Sequence, residues 1–336
     1  MEAVISSAPS KVNLILHSGR PDSDGYHPLV TVFEALSLRD YVVALLPEES
    51  APGPALQTFL YEDASAEGLP PQFSSSLTEA FSVLDNEDHL AARACAALGV
   101  EVGRDVTLAV HKTIPVAGGM AGGSADAAAT LVAVNELFEL GKSPQELLVL
   151  GARLGADVPA CLVGGISLGT GRGDQMRLLH RGSSGPGAGS HWWVLVFSCQ
   201  GLSTPTVFKK FDAMHPEGPK LDVSGLVDSM EETFASLPST DQLASVLTND
   251  LQPPALALRP ELAAVGDALM EADALGWLVS GSGPTVAGIA GSKAEAVRIA
   301  SSLQGVPGVR GVAVAWGPGP GAQVEADLPG WARKRR

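Results

Sequence analysis

KTIPVAGGMAGGSADAAA, residues 112–129, puts four glycines and a serine within positions 118–124 and then runs into alanines that favour helix. Glycine loses more conformational freedom on ordering than any other residue, so its concentration at a helix entrance needs a reason. Either the stretch is a connector, or something approaches the backbone closely there. Successive glycines let neighbouring N–H groups point into one concavity. The helix behind them offers unpaired donors and the positive end of its dipole. Ser124 adds a hydroxyl near that entrance. The stretch therefore reads as a phosphate cradle, with a structural turn as the alternative. The two commonest phosphate loops do not fit. GKS at 141–143 has Glu136 where a Walker loop needs glycine, and GTGRG at 169–173 has Asp174 where the Rossmann fingerprint needs its third glycine.

Around this stretch the sequence predicts a strand at 106–110 and a helix at 125–140, with Leu131, Val134, Leu137 and Phe138 on one face. Upstream, 4–16 reads as an opening strand, 17–29 as a polar loop, and 30–36 and 41–46 as two further strands. Residues 47–87 turn irregular, around a weak strand at 56–61, and read as a surface insertion. A short helix is expected at 89–98. Another starts after Ser143, with Pro144 at its first position and Glu146 at the capping-box place. RGSSGPGAGS, 181–190, reads as a linker. Beyond it come a strand at 191–197, several helices, and a closing pattern of strands at 277–280 and 285–290, a helix at 293–303 and a strand at 309–316. That ending suggests a compact α+β unit.

With 336 residues, 45% hydrophobic and 18% charged, the chain is long and apolar enough for one large or two ordinary domains. Its net charge of −15 argues against a nucleic-acid partner, which usually meets a basic face. A small anion sees only the field of its own cleft, and Lys11, Arg20, His27 and Lys112 lie near the motifs. Cys95, Cys161 and Cys199 show no CxxC spacing and fit a reduced, cytoplasmic chain whose thiols are mostly core filler. The histidines show no zinc-binding grouping, so no protein-held metal is expected. No signal peptide and no apolar run of membrane-spanning length are evident. The tail WARKRR reads as solvated.

PVAGGMAGGSADAA resembles the second signature of the GHMP small-molecule kinases, the group of galactokinase and of the homoserine, mevalonate and phosphomevalonate kinases. APSKVNLIL at 8–16 resembles the first signature, and VSGSGPTVAGI at 279–289 the third. Met120, Ala121 and Ala125 stand where the family usually has Leu, Gly and Ser. Within the family, the K-x-N and DGYH elements, LGADVPACLVGG at 154–165, GLSTPTVF at 201–208 and NDL at 249–251 are most similar to one branch. That branch phosphorylates the 2-hydroxyl of a cytidine diphosphate-linked methylerythritol in isoprenoid precursor synthesis. The resemblance implies an α+β, two-domain GHMP kinase fold. An N-terminal ATP-binding α/β domain would span 1–182 and a ferredoxin-like α+β domain 190–336, with the active site between them. It implies ATP and Mg²⁺, a small-molecule substrate, no nucleic acid or membrane partner, and a monomer or homodimer.

The resemblance also assigns roles. Asp157 is implied as the base, although the spacing of LGADVP alone reads rather as a helix cap. Lys11 is implied as its charge partner, with a snorkelling lysine as the plain alternative. Pro115, Val116, Ala117, Gly118, Gly119, Met120, Ala121, Gly122, Gly123, Ser124 and Ala125 would hold the ATP phosphates. Asn13, on the strand face of Lys11, would line the substrate cleft with Gly281 and Ser282 of the third signature, whose alternative is a tight turn. Tyr26 and His27 would stack on and hydrogen-bond the cytosine, unless they plug their own loop. Phe208 would close the other side of the base, with Thr204 nearby. Alternatives within and outside the class are a mevalonate-type or homoserine kinase and a non-catalytic nucleotide-binding protein.

Overall fold

The computed structural model describes residues 3–47, 55–60 and 88–329. Its first half runs β1 (Ala3–Ser18), β2 (Leu29–Leu45), β3 (Leu56–Leu60), α1 (Leu90–Ala97), β4 (Thr107–Lys112), α2 (Gly122–Leu137), α3 (Pro144–Leu154), α4 (Val158–Val163), β5 (Ile166–Thr170) and β6 (Gln175–His180). The second half runs β7 (His191–Ser198), α5 (Thr204–Met214), α6 (Val223–Thr233), α7 (Thr240–Val246), β8 (Thr248–Asn249), α8 (Gln252–Leu258), α9 (Glu261–Glu271), β9 (Gly276–Val279), β10 (Val286–Ala290), α10 (Lys293–Ser302), β11 (Val309–Gly317) and β12 (Gln323–Glu325). Most of the expected insertion, and the basic tail, lie outside the described residues; within the insertion, the weak strand appears as β3.

β1 and β2 form a long antiparallel hairpin at the centre of an eight-stranded sheet, with β12, β4 and β3 continuing the path and β5, β6 and β8 attached beside it. The two strands expected at 30–36 and 41–46 are one continuous strand. The residues between the two expected strands include Arg39 and Asp40, both buried in the sheet with internal partners. Arg39 donates to Ser7 Oγ and to the carbonyls of Ser7, Pro320 and Gly321, and Asp40 receives the Lys112 ammonium at 2.6 Å. Satisfied polar groups need no exit to water, so the strand continues.

The apolar face of this sheet packs on α1 and α2, where alanines 125 and 127–129 are fully buried. Small side chains let α2 lie close to the strands. α3 opens as expected: Ser143 accepts from the Glu146 N–H while the Glu146 carboxylate accepts from the Ser143 N–H, and Pro144 stands at the start.

The second sheet has the order β11-β7-β10-β9 with antiparallel neighbours throughout. With its helices this is the βαββαβ arrangement of ferredoxin-like units, as expected. A separate apolar cluster packs α8, α9 and α10 on it. The two halves interlock, because β8 adds to β1 at Ile15 and Leu16 and β12 adds to β1 at Ile5–Ser7. Cys95 and Cys161 are buried in the core and Cys199 is exposed. Burial pushes the Cys95 thiol up to about 12, consistent with an inert packing role.

Candidate active site

Lys11 sits mid-strand in β1, between two register irregularities at Pro9/Lys11 and Asn13/Ile15. Such irregularities re-aim side chains, and here they turn Lys11 and Asn13 to the same cleft. The Lys11 ammonium is 5% exposed, donates to Asn13 Oδ1 at 2.7 Å and to the Gly119 carbonyl at 3.2 Å, and faces Asp157 Oδ2 at 3.6 Å. Asn13 in turn donates to Thr31 Oγ1, which donates to the Ile15 carbonyl, so the amide orientation is fixed.

Asp157 occupies the N-cap position of α4 yet makes no side-chain capping hydrogen bond. The capping alternative therefore fails. The carboxylate is turned outward, 37% exposed, toward Lys11.

These residues open into a cavity of about 640 Å³, within the range of small-ligand sites. Its walls gather Lys11, Asn13, Tyr26, His27, Gly119, Ala121, Ser124, Asp157, Thr204, Phe208, Gly281 and Ser282, which reach it from both halves of the chain. Pro115, Val116, Ala117 and Gly118 belong to the loop behind this wall, and Gly122 and Gly123 open α2. Two expected phosphate-holding residues behave differently. Met120 is a fully buried core anchor, and Ala125 is buried with its N–H already given to the Ala121 carbonyl at 2.8 Å.

Because the α2 ladder begins at Ala125, the amides of Gly122, Gly123 and Ser124 occupy its open first turn, and Ala121 supplies no side-chain cap. These three donors are where an anion would dock. Ala121 itself holds φ 63, a left-handed conformation that glycine adopts freely and alanine reaches at a cost of about 1–2 kcal/mol.

The glycines answer a different need from the one the sequence suggested. A Cβ at Gly119 would lie 2.5 Å from the Gly283 carbonyl oxygen and 2.8 Å from that of Ser280. At Gly118 it would meet Thr285 Oγ1 at 3.2 Å, at Gly122 Ile114 at 3.3 Å, and at Gly123 Leu90 at 3.2 Å. Glycine here lets two loops and a helix close on one another, and the free amides are a consequence of that packing. The third signature is held from the other side by Asn249, which donates to the carbonyls of Val279 and Gly281 at 2.7 Å each. Gly281 then rests against the Lys11 ammonium and the Asn13 amide, and Ser282 bonds Thr204 at 2.8 Å.

Two expectations change. Lys112 does not line the cleft: it is buried between Asp40 and Asp126, 2.6 Å from each. His27 and Phe208 do not face each other across a slot. Their rings stack directly, centroids 4.6 Å apart, and His27 Nδ1 lies 2.8 Å from the Gly19 carbonyl. Tyr26 remains 55% exposed, with the Arg172 guanidinium 3.6 Å from its ring centroid and Asp24 holding that guanidinium by an ion pair. Arg172, Lys209 and Asp212 also line the cavity and escaped the sequence reading. The signal for Arg172 was the GTGRGD hairpin, which drew notice only as a failed Rossmann match. Among the described residues no group of three His, Cys, Asp or Glu gathers to hold a metal, and no helix is long and apolar enough to cross a membrane.

The family model for the N-terminal domain of GHMP kinases matches residues 89–165, and that for the C-terminal domain matches 231–306. The chain is 43% identical over 326 residues to a 4-diphosphocytidyl-2-C-methyl-D-erythritol kinase of Mycolicibacterium gilvum, covering 96% of this chain and 92% of the relative. It is 43% identical over 317 residues to the enzyme of the same name from a Nocardioides species, covering 94% and 98%. Among solved structures, a 4-(cytidine 5'-diphospho)-2C-methyl-D-erythritol kinase superposes with a TM-score of 0.63 at 27% identity, over 93% of this chain and 99% of that one.

Proposed function

The chain belongs to the GHMP kinase family, and we propose that it transfers a phosphoryl group from ATP to the 2-hydroxyl of 4-diphosphocytidyl-2-C-methyl-D-erythritol. The reading rests above all on one arrangement: an uncapped Asp157 carboxylate facing the Lys11 ammonium at 3.6 Å, in the same cavity as the open first turn of α2. In sequence the halves divide at 182 and 190, while β8 and β12 complete the first sheet from the far side of that boundary.

The residues fit a nucleoside triphosphate. Gly122, Gly123 and Ser124 present three amides and a hydroxyl at the positive end of a sixteen-residue helix. ATP bound there would supply the phosphoryl group, and Mg²⁺ carried by the nucleotide would neutralise charge on it. Asp157 accepts the proton leaving the substrate hydroxyl. Lys11 places a positive charge beside that oxygen and is kept there by Asn13 and the Gly119 carbonyl. The Gly281–Ser282 turn closes the wall against Lys11, so the base and its partner are held before substrate arrives.

The exposed ring of Tyr26 and the aromatic pair His27–Phe208 favour a substrate that carries a base. Purified protein is expected to release ADP with the cytidylylated methylerythritol and not with mevalonate or homoserine. Turnover of mevalonate alone would overturn the choice of substrate. Tyr26→Ala is expected to raise KM for the cytidylylated alcohol about 10-fold or more, as loss of one stacking ring does, with KM for ATP unchanged. Equal rises in both KM values would count against base stacking at Tyr26.

A further inference from the structure

Lys112, Asp40 and Asp126 form a buried cluster directly beneath the glycine loop. All three are nine-tenths or more buried, and the Lys112 ammonium lies 2.6 Å from Asp40 Oδ2, 2.6 Å from Asp126 Oδ2 and 3.4 Å from the Gly122 carbonyl. Asp40 Oδ1 accepts from the backbone N–H groups of Thr113 at 2.6 Å and Ile114 at 2.8 Å. The start of the loop is therefore pinned to β2, and its end, the first turn of α2, is pinned to the same ammonium. His89, the cap of α1, approaches Asp126 Oδ2 at 3.9 Å.

Asp126 is a poor choice for stability. Its Oδ1 is buried with no hydrogen-bond partner, and it interrupts a run of alanines that would be a better helix. Burial raises the Asp126 carboxyl against the pull of Lys112, and burial likewise brings Asp40 up to about 7. Alanine at 126 would leave Lys112 matched one to one with Asp40 and remove the orphaned oxygen. A residue that breaks a local rule at this cost is expected where position matters more than stability.

We propose that Asp126 is a positioning residue for the nucleotide: by accepting from Lys112 it ties the first turn of α2 to β2 and β4, and so sets where the amides of residues 122–124 point. The inference rests on the reading of that turn as the phosphate site. In Asp126→Ala the loop start stays pinned by Asp40 while the helix end keeps only the 3.4 Å contact of the Gly122 carbonyl with Lys112, and the amides lose their common aim.

The test is the affinity of the full chain for a fluorescent ATP analogue, measured without any alcohol, together with steady-state KM values and thermal melting. Asp126→Ala is expected to weaken nucleotide binding and raise KM for ATP by about tenfold, since small displacements of positioning groups cost at least that much. KM for the alcohol and the melting temperature should hold, or the melting temperature should rise. Asp126→Asn keeps a carbonyl oxygen for Lys112 and should restore binding to within about threefold of wild type. Wild-type nucleotide affinity in Asp126→Ala overturns the proposal, as does an Asp126→Asn variant impaired as much as the alanine one. Should Asp126→Ala not accumulate as folded protein, Asp126→Ser, whose hydroxyl is one atom shorter, serves the same comparison. A wild-type protein that binds the analogue but turns over no cytidylylated alcohol would refute the substrate reading and leave this inference standing.

Discussion

Asp157→Asn is expected to lower kcat by about 10²–10⁴ and to leave the melting temperature near that of the wild type, because on the proposed reading the loss is of a proton acceptor on a half-exposed side chain. The side chain makes no capping bond to α4, so the helix loses nothing when the carboxylate becomes an amide. Lys11 keeps Asn13 Oδ1 and the Gly119 carbonyl as acceptors, so its ammonium stays in place. The amide has nearly the volume of the carboxylate and preserves the shape of the cavity wall. KM for either substrate should therefore move little while kcat falls, the signature of an interaction made only in the transition state. Steady-state kinetics with coupled ADP detection measures this. Turnover within a few-fold of wild type would remove Asp157 from the role of base.

The sequence was most informative where local chemistry and packing agree. The capping box at Ser143, the αβ alternation of the ending and the Lys11–Asn13 strand face all appear as expected, because each depends on neighbours within a few residues. It was least informative where polar residues find partners far along the chain. β2 reads in the sequence as two strands because the partners of Arg39 and Asp40 come from Ser7, Lys112, Pro320 and Gly321, distances of 32 to 282 residues that no spacing rule reaches. Lys112 looked like a cleft cation for the same reason. The glycine stretch shows both cases at once. Its position before a helix pointed correctly to free amides, but the need for glycine at 119 comes from Gly283 and Ser280, more than 160 residues away. His27 and Phe208 were correctly brought to one cavity, and their direct stacking depended on where α5 lies, which only tertiary packing decides.

Glu34→Gln should cost about 3–5 kcal/mol of stability, the range for breaking one side of a buried ion pair. Glu34 on β2 is fully buried and ties the first sheet to the second: its Oε1 lies 2.6 Å from His191 Nδ1, and its Oε2 accepts from Trp193 Nε1 at 2.9 Å. His191 Nε2 faces the Pro238 carbonyl at 2.9 Å. A carboxylate and a carbonyl only accept, so both ring nitrogens donate and the buried ring is an imidazolium. Burial opposes that charge, but Glu34 and the carbonyl outweigh it and raise the His191 pKa above its usual value. A glutamine offers one acceptor and one NH₂ to two donors, and leaves the imidazolium uncompensated. The sign of the pH dependence follows from the raised value. The stabilisation is complete below about 6.5, where the unfolded histidine is also protonated, and it fades as pH rises through the higher folded value. Denaturant midpoints for wild type and Glu34→Gln should therefore differ most below about pH 6.5 and draw together as pH rises through the raised folded value of His191. A gap that stays constant across that range would show that the Glu34–His191 contact holds the sheets together without a charged ring.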